Sequence, residues 1–458
     1  MSKTKKLLSI TLIPGVSIYF IRTLEQSFIS SLSAVQLILL LCSVMLTAVG
    51  VITLVWMLYA WENPIQAKRR ESPKKYLKPA YTFSAIVPVR HEEKVIEDTV
   101  RAIDKIDYPD DMKEIIIVCR HDDTQTITEA KNIVTKLGKY NCMVLTLGEV
   151  YPINKPVSLN WGLKYAKNQI ISIFDAEDEP HPDIYKIVNT VLLKNKVDIV
   201  QSGVQLMNYD AHWYSPLNVL EYYLWFKSGL HFFSDVGRVS FLGGNTVFFR
   251  KELLNDVGGW DETILTEDAD IGLRLTLAGA KTKVIYDERH TTKEETPATI
   301  KSFIKQRTRW DQGFLQILFK GDWLRLPLFR QKLVSLYILL APFFPIFILL
   351  YIPFGLVAGF MFRSLVALAM LTYIPFYLLL TIISVQILAL REFTKTYGLK
   401  FSWMLPLKIL MTYFPYVGVL TYSSVRAVLR FVLNTNEWEK TKHLNAHRVN
   451  VKYVQKTT

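Results

Sequence analysis

The sequence predicts an α/β domain, a mostly parallel sheet with helices on both faces, inserted between transmembrane helices. Short apolar runs rich in branched residues alternate with helical patterns through the charged middle of the chain, about residues 79–325. Outside that stretch the apolar residues gather into charge-free runs long enough to cross a bilayer. Within it, acidic clusters fall just past the ends of the apolar runs, where ligands bind in such sheets.

The first apolar stretch, Leu7 to Ile21, is short, contains Pro14-Gly15 and follows Lys3, Lys5 and Lys6. A short span, an interfacial helix and a signal-like segment all fit 7–23, and no convincing small-residue cleavage site follows it. Val35 to Trp61 carries no charge and exceeds the ~20 residues a crossing needs. Lys68, Arg69, Arg70, Lys74, Lys75 and Lys78 follow, and juxtamembrane lysines and arginines favour the cytoplasmic side and anionic headgroups. That location assigns much of the net charge of +13 to the membrane surface, and no nucleic-acid partner is expected.

Four apolar runs then read as strands: Tyr81–Val89, Glu114–Cys119, Met143–Leu147 and Ile170–Phe174. Helical patterns separate them, with one opening in Glu92-Glu93 and covering Val95–Ile106, then Thr126–Leu137 and Leu159–Lys167. Cys42, Cys119 and Cys142 sit at unrelated spacings and read as core residues, neither a disulfide framework nor a zinc set.

After the polar domain, 333–360 and 366–390 each can span, with Arg363 between them. The stretch 404–433 contains Pro406, Lys408, Pro415, Arg426 and Arg430, which suits an interfacial or re-entrant segment better than a crossing. The expected organisation is an N-terminal membrane part (1–78), a polar domain (79–325), a membrane region (326–433) and a basic tail (434–458). Two crossings after the domain put domain and tail on the cytoplasmic side of an integral membrane protein, expected in the plasma (inner) membrane.

The chemistry-bearing residues lie at element ends. Asp175 and Glu177, two apart past a strand, can converge on one hard divalent cation; a solvated turn into Pro180-His181-Pro182 is the local alternative. Asp122-Asp123 is an acidic pair of a kind that is also common on loops. Thr266-Glu267-Asp268 opens a helix, Ala269–Ala278, where Thr266 suits an N-cap; Asp268 also suits a general base. Phe241–Asn245 is a small-residue loop that lets backbone approach a ligand. On a helix over Ile300–Leu318, Gln306 lies on one face with Arg309 and Trp310 at i+3 and i+4. Arg309 offers a charged fork for diphosphate oxygens, and Trp310 a flat platform for a sugar ring or a membrane interface.

In order and spacing these motifs resemble the membrane-embedded family 2 glycosyltransferases, the group of cellulose-, hyaluronan- and exopolysaccharide-type synthases. The matching segments are VPVRHEE (87–93), HDDTQT (121–126), NKPVSLNWGL (154–163), FDAEDEPHPD (174–183), FLGGNTVFFR (241–250), GGWDETILTEDADIGLRL (258–275) and QRTRWDQG (306–313). NEWEKTKH (436–443) resembles the cytoplasmic tail of some members. The resemblance implies a GT-A nucleotide-sugar fold and a nucleotide-sugar donor, with a UDP-sugar expected. Pro88, Val89, Arg90, Glu92 and Asp122 or Asp123 would then hold the nucleoside, and Lys155 would lie near the nucleotide. Asp175 and Glu177 would hold Mg²⁺ or Mn²⁺ on the diphosphate, with Glu177 departing from the commoner aspartate. Asp268, beside Glu267, would be the base; Gln306 and Arg309 would stabilise the leaving diphosphate, and Trp310 would face a glycan or lipid acceptor. His290 is a candidate extra ligand or a plain strand-end histidine.

The expected reaction is an inverting transfer that builds a polysaccharide. Single-sugar transfer to a lipid is the alternative, and a non-catalytic nucleotide-binding membrane scaffold is the reading from another class.

Overall fold

The computed structural model describes residues 34–62, 68–361, 366–435 and 439. The 7–23 segment, Arg363 and nearly all of the basic tail lie outside the described residues. The first helix, α1 (Ala34–Glu62), leads to β1 (Phe83–Pro88), α2 (Ile96–Asp104), β2 (Lys113–Arg120), α3 (Thr124–Leu137), β3 (Cys142–Leu147), α4 (Lys155–Tyr165) and β4 (Ile170–Ile173). Then come α5 (Ile184–Asn195), β5 (Ile199–Gln201), β6 (Val204–Leu206), α6 (Ser215–Leu224), β7 (Val247–Arg250), α7 (Lys251–Asp256), α8 (Glu267–Leu277), β8 (Thr282–Val284) and β9 (Thr292–Glu294). The chain ends in α9 (Ile300–Lys320), α10 (Phe329–Leu340), α11 (Phe344–Met361), α12 (Val366–Thr396) and α13 (Leu405–Val432).

Seven strands form one sheet in the order β3-β2-β1-β4-β7-β5-β8, and β6 pairs with β9 in a second. Every pairing is parallel except the two made by β7, which runs antiparallel between β4 and β5. The sheet is covered on both faces, so its strands read as near-continuous apolar runs rather than alternating ones. Phe83, Ala85 and Val87 of β1 enter one core layer with Ile96, Val100, Ile133, Ile187 and Phe248. Ile86 enters the other with Leu159, Leu163, Ile171, Phe249 and Trp260. The chain reverses its direction of strand addition at β1, whose neighbours are β2 and β4, and this switch point opens the crevice in which the site lies.

Local hydrogen bonds explain where the helix starts differ from expectation. The helix expected to open at Glu92-Glu93 begins at Ile96, because His91 is left-handed (φ 53°) and the Glu92 N–H is taken by Thr126 Oγ1 at 3.0 Å. The next-but-one, expected from Leu159, begins at Lys155, since Asn154 Oδ1 caps it by accepting from Val157 N–H at 3.2 Å.

Among the described residues, three helices are long and apolar enough to cross a membrane, over Leu37–Glu62, Phe329–Gly355 and Tyr373–Thr396. The second is two helical pieces joined by a 3-10 turn at Ala341–Phe343. The structure divides into two units. One holds the described parts of 1–52 and 350–381, where an added Cβ at Gly50 would sit 3.2 Å from Leu378. The other holds 53–349 and 382–439, including the sheet. There Lys227 Nζ binds Glu288 at 2.7 Å and Glu392 of α12 at 2.8 Å, while Trp61 of α1 donates to Glu392 at 2.9 Å.

Within the 404–433 stretch, α13 runs unbroken through Pro415. One face of it is held along α9, with Arg430 donating to Gln312 at 2.9 Å, Ser424 to Asp311 at 2.9 Å, and Phe431 stacked on Phe319 at 5.2 Å. Those partners favour a continuous helix over a break.

Candidate active site

At the carboxyl ends of β1 and β4 lies a cavity enclosing roughly 1220 Å³ of non-atom space, open solvent included. The wall on the β1 side is Pro88, Val89, Arg90 and Glu92. Lys155 enters from the start of α4, and Asp175 and Glu177 from the end of β4. Gly243, Gly244 and Asn245 come from the loop before β7, Glu267 and Asp268 from the start of α8, and Gln306, Arg309 and Trp310 from α9. Segments far apart in sequence thus meet in one crevice.

Asp122 and Asp123 do not line this cavity; they stand behind it. Asp123 is buried and spends its carboxylate on the N–H groups of Thr126 at 3.2 Å and His91 at 2.5 Å. Burial pushes the Asp123 carboxyl up, but these bonds more than offset it and hold it below its ordinary range. Asp122 binds Arg120 Nε at 3.2 Å and approaches Arg90 at 4.0 Å. Asp122 therefore positions Arg90 and Arg120, which do face the cavity, whereas Asp123 holds the His91 turn and the start of α3; a sequence motif cannot separate a capping carboxylate from a contacting one.

Lys155 sits between the acidic groups. Its Nζ is 2.5 Å from Asp175 Oδ1 and 3.4 Å from Glu267 Oε1, and it donates to the Gly244 carbonyl at 3.0 Å. Burial alone would depress this ammonium, but Asp175 and Glu267 more than offset it and hold its pKa above the ordinary value. Beneath them, Asp178 Oδ2 accepts the Asp175 N–H at 2.8 Å. The Asn245 amide donates to Asp178 Oδ1 at 2.8 Å and also to Glu294. Burial and then the charges of Glu177 and Asp175 push Glu294 up to about 7; burial and Glu294 push Asp178 well up. Asp178 is thus spent on internal hydrogen bonds, and Asp175 and Glu177, which face the cavity alongside Glu294, are the hard oxygen donors that could hold a divalent cation there.

Asp268 lies next to Glu267 and against Gly244, whose carbonyl Lys155 binds. Its Oδ1 accepts the Ala269 N–H at 2.8 Å, and Oδ2 lies 3.0 Å from where a Cβ on Gly244 would be. Gly244 has φ +81°, so both backbone geometry and space require glycine there. Burial, then the neighbouring Glu267, pushes the Asp268 carboxyl up to about 7. Next to it Thr266 occupies the N-cap position of α8 without making a capping bond. Instead Thr266 packs under α9: a Cβ on Gly313 would fall 2.2 Å from its Oγ1. Gly313→Ala is therefore expected to wedge α9 away from the Asp268 loop and cut turnover by about 10²-fold. Steady-state kinetics check this, and an unchanged kcat would show the two segments to be independent.

On α9, Gln306 Oε1 is buried with no hydrogen-bond partner among the described residues, although the side chain lines the cavity. Trp310 lies 6.4 Å from the Tyr222 ring, and the Arg307 guanidinium sits 4.8 Å over Trp310 while pairing with Glu221. Tyr222, Glu294 and Arg120 also line the cavity but were not legible as site residues. Tyr222 sits in an aromatic helix that reads as core, and Glu294 ends a three-residue strand inside a polar run. Asn245 was inside the small-residue loop, but nothing local distinguished it.

A family model described as "Glycosyltransferase like family 2" matches residues 79–313. Among similar proteins, the beta-monoglucosyldiacylglycerol synthase of Trichormus variabilis is 27% identical over 237 residues, 51% of this chain and 49% of that protein. The poly-beta-1,6-N-acetyl-D-glucosamine synthase of Staphylococcus epidermidis is 27% identical over 261 residues, 56% of this chain and 60% of its own. The chain thus spans about half to three-fifths of the length of these relatives. A solved structure of the mannosyltransferase PcManGT from Pyrobaculum calidifontis, in complex with GDP-Man and Mn²⁺, superposes with a TM-score of 0.50 at 18% identity. It covers 87% of this chain and 99% of that one, a likeness of fold.

Proposed function

The chain belongs to glycosyltransferase family 2, and on that premise we propose that it is an inverting membrane glycosyltransferase using a nucleotide-diphosphate sugar. The observation that carries this reading is Asp268: a carboxylate with its pKa raised to about 7, in one cavity with Asp175, Glu177, Gln306 and Arg309. Donors bound by solved glycosyltransferases of this fold support a nucleotide sugar here, including GDP-Man in the mannosyltransferase. The three crossing-length apolar helices among the described residues support attachment to a membrane, and the basic juxtamembrane residues support a cytoplasmic domain.

In the proposed reaction the Asp268 carboxylate accepts the proton of an acceptor hydroxyl. That oxygen attacks the anomeric carbon from the face opposite the departing nucleoside diphosphate, so an α-linked donor gives a β-linked product. The guanidinium of Arg309 and the amide of Gln306 stabilise charge gathering on the leaving group, and Trp310 with Tyr222 holds the acceptor sugar. Pro88 to Glu92 hold the nucleoside, with Lys155 near the phosphates. Asp175 and Glu177 would hold Mg²⁺ or Mn²⁺, which supplies Lewis-acid neutralisation of diphosphate charge.

The base must be ionised to act, so kcat is expected to rise with pH up to about 7 and then level off. Below that point it should fall roughly tenfold per pH unit. A profile already flat at pH 5 would remove Asp268 as the base.

The relatives make both glycolipid and polysaccharide by their names. We place this chain with the polymer-forming reading, because Gln306, Arg309 and Trp310 bring α9 into the cavity wall and α9 is the element that leads in sequence to the C-terminal apolar helices. Purified protein given a panel of nucleotide sugars with Mg²⁺ or Mn²⁺, followed by product sizing, tests it. Long chains support the polymer reading; a one-sugar lipid adduct overturns it in favour of single transfer; no transfer or hydrolysis of any donor leaves only the scaffold reading.

A further inference from the structure

A second group of metal-ligating side chains lies outside the cavity. His181, Asp183 and His290 bring their ligand atoms within 4.8 Å of one another, and all three are half-buried. The imidazole rings meet edge to face with centroids 4.6 Å apart. His181 lies between Pro180 and Pro182, four residues beyond Glu177. His290 lies two residues before β9, the strand that ends in Glu294 of the cavity. The two segments touch at a bridge between Glu179 and Lys293.

We propose that His181, Asp183 and His290 bind one transition-metal ion of the zinc class, which fastens the Asp175–Asp183 segment to the segment leading into β9. Two imidazoles and one carboxylate are the donor set of zinc and its neighbours in the first transition row. The all-oxygen carboxylate cluster of the cavity suits a hard ion instead, so the two sites differ in chemistry as well as place.

A carboxylate outside the ligand set supports the assignment. Asp287 is buried and its Oδ2 lies 3.4 Å from His290 Nδ1, while Arg289 holds the same aspartate at 2.7 Å. A carboxylate behind one ring nitrogen fixes the ring and aims the other nitrogen at a metal. At that distance His290 Nδ1 faces Asp287 without a well-directed hydrogen bond, so the carboxylate orients the imidazole chiefly by charge. His181 Nδ1 accepts the Asp183 N–H at 3.1 Å. Either His181 nitrogen can serve: at Nδ1 the ion replaces that contact, and at Nε2 the ring proton moves to Nδ1, which then no longer accepts from Asp183. Asp183 has a second neighbour in Lys186 at 3.4 Å, but Lys186 pairs more closely with Asp107. Half-exposure of the group leaves a coordination position for water.

The test uses the full chain in detergent, stripped with a chelator and titrated with Zn²⁺ against a chromophoric competitor, with bound metal counted by mass spectrometry. One equivalent is expected for the wild type and equally for an Asp175→Asn/Glu177→Gln variant. His181→Gln and His290→Gln are expected to weaken binding at least 100-fold, and saturating Zn²⁺ should raise the thermal midpoint of the wild type and of Asp175→Asn/Glu177→Gln but not of the two histidine variants. If either variant fails to fold, Co²⁺ added to the stripped wild type reads the site directly through its d–d absorption. The proposal is overturned by a wild type that binds no zinc, by His290→Gln binding as tightly as wild type, by absent Co²⁺ bands, or by loss of the equivalent in Asp175→Asn/Glu177→Gln.

Discussion

Asp268→Asn is expected to lower turnover by about 10³-fold while leaving donor affinity within about twofold. The substitution is nearly isosteric, and an asparagine oxygen can still accept the Ala269 N–H that Asp268 Oδ1 accepts at 2.8 Å. The start of α8 and its contact with Gly244 therefore persist. What disappears is the ability to take a proton, because an amide oxygen is a very weak base. Donor affinity stays because Asp268 faces the acceptor side in the proposed reaction, whereas the nucleoside and diphosphate rest on other walls. Turnover with labelled donor, measured beside donor binding by calorimetry, separates the effects. Turnover within tenfold of wild type sinks Asp268 as the base; loss of donor binding instead assigns it to the donor site.

Asp175→Asn/Glu177→Gln is expected to reduce activity by about 10²–10³-fold. Added Mn²⁺ should not restore it, whereas wild-type enzyme silenced by a chelator recovers with Mg²⁺ or Mn²⁺. The sign of the stability change is the sharper part. Glu177 and Asp175 push the buried Glu294 up in pKa, and both contribute to raising Asp178. Removing two charges from that cluster relieves repulsion, and Lys155 keeps Glu267 at 3.4 Å as a partner. The thermal midpoint should hold or rise while activity collapses, the pattern of a site kept charged for function rather than stability. A large drop in midpoint would mark these carboxylates as structural.

The parallel part of the sheet was legible because buried strands write themselves as apolar runs, as Phe83–Pro88 and Lys113–Arg120 do. Residues at their carboxyl ends, Pro88 and Asp175 among them, are brought to one cavity by that geometry alone. The later strands, in the other half of the large sheet and in the small one, were not legible. β5, β8 and β9 are three residues each, too short for a period to register, and the antiparallel insertion of β7 depends on a crossover no local pattern records. Glu294 and Tyr222 reach the site through those long-range arrangements. The acidic pair at 122–123 was legible as a feature but not in its role: Asp123 is consumed by capping α3, a choice made by backbone angles. The 404–433 stretch looked marginal for a bilayer because its polar side chains are matched to α9, through Arg430 with Gln312 and Ser424 with Asp311.

Lys155 acts as a built-in counter-ion. Its ammonium occupies the space between Asp175 and Glu267 and donates to the Gly244 carbonyl, so the negative charge of the crevice has an internal partner. If Asp175 and Glu177 hold a metal on the donor diphosphate as proposed, binding would be an ion exchange: the carboxylates would pass from the internal cation to the imported one, and the ammonium would be released to the phosphates. The reverse exchange would accompany departure of the nucleotide, so the charge inside the crevice would stay nearly constant over the cycle.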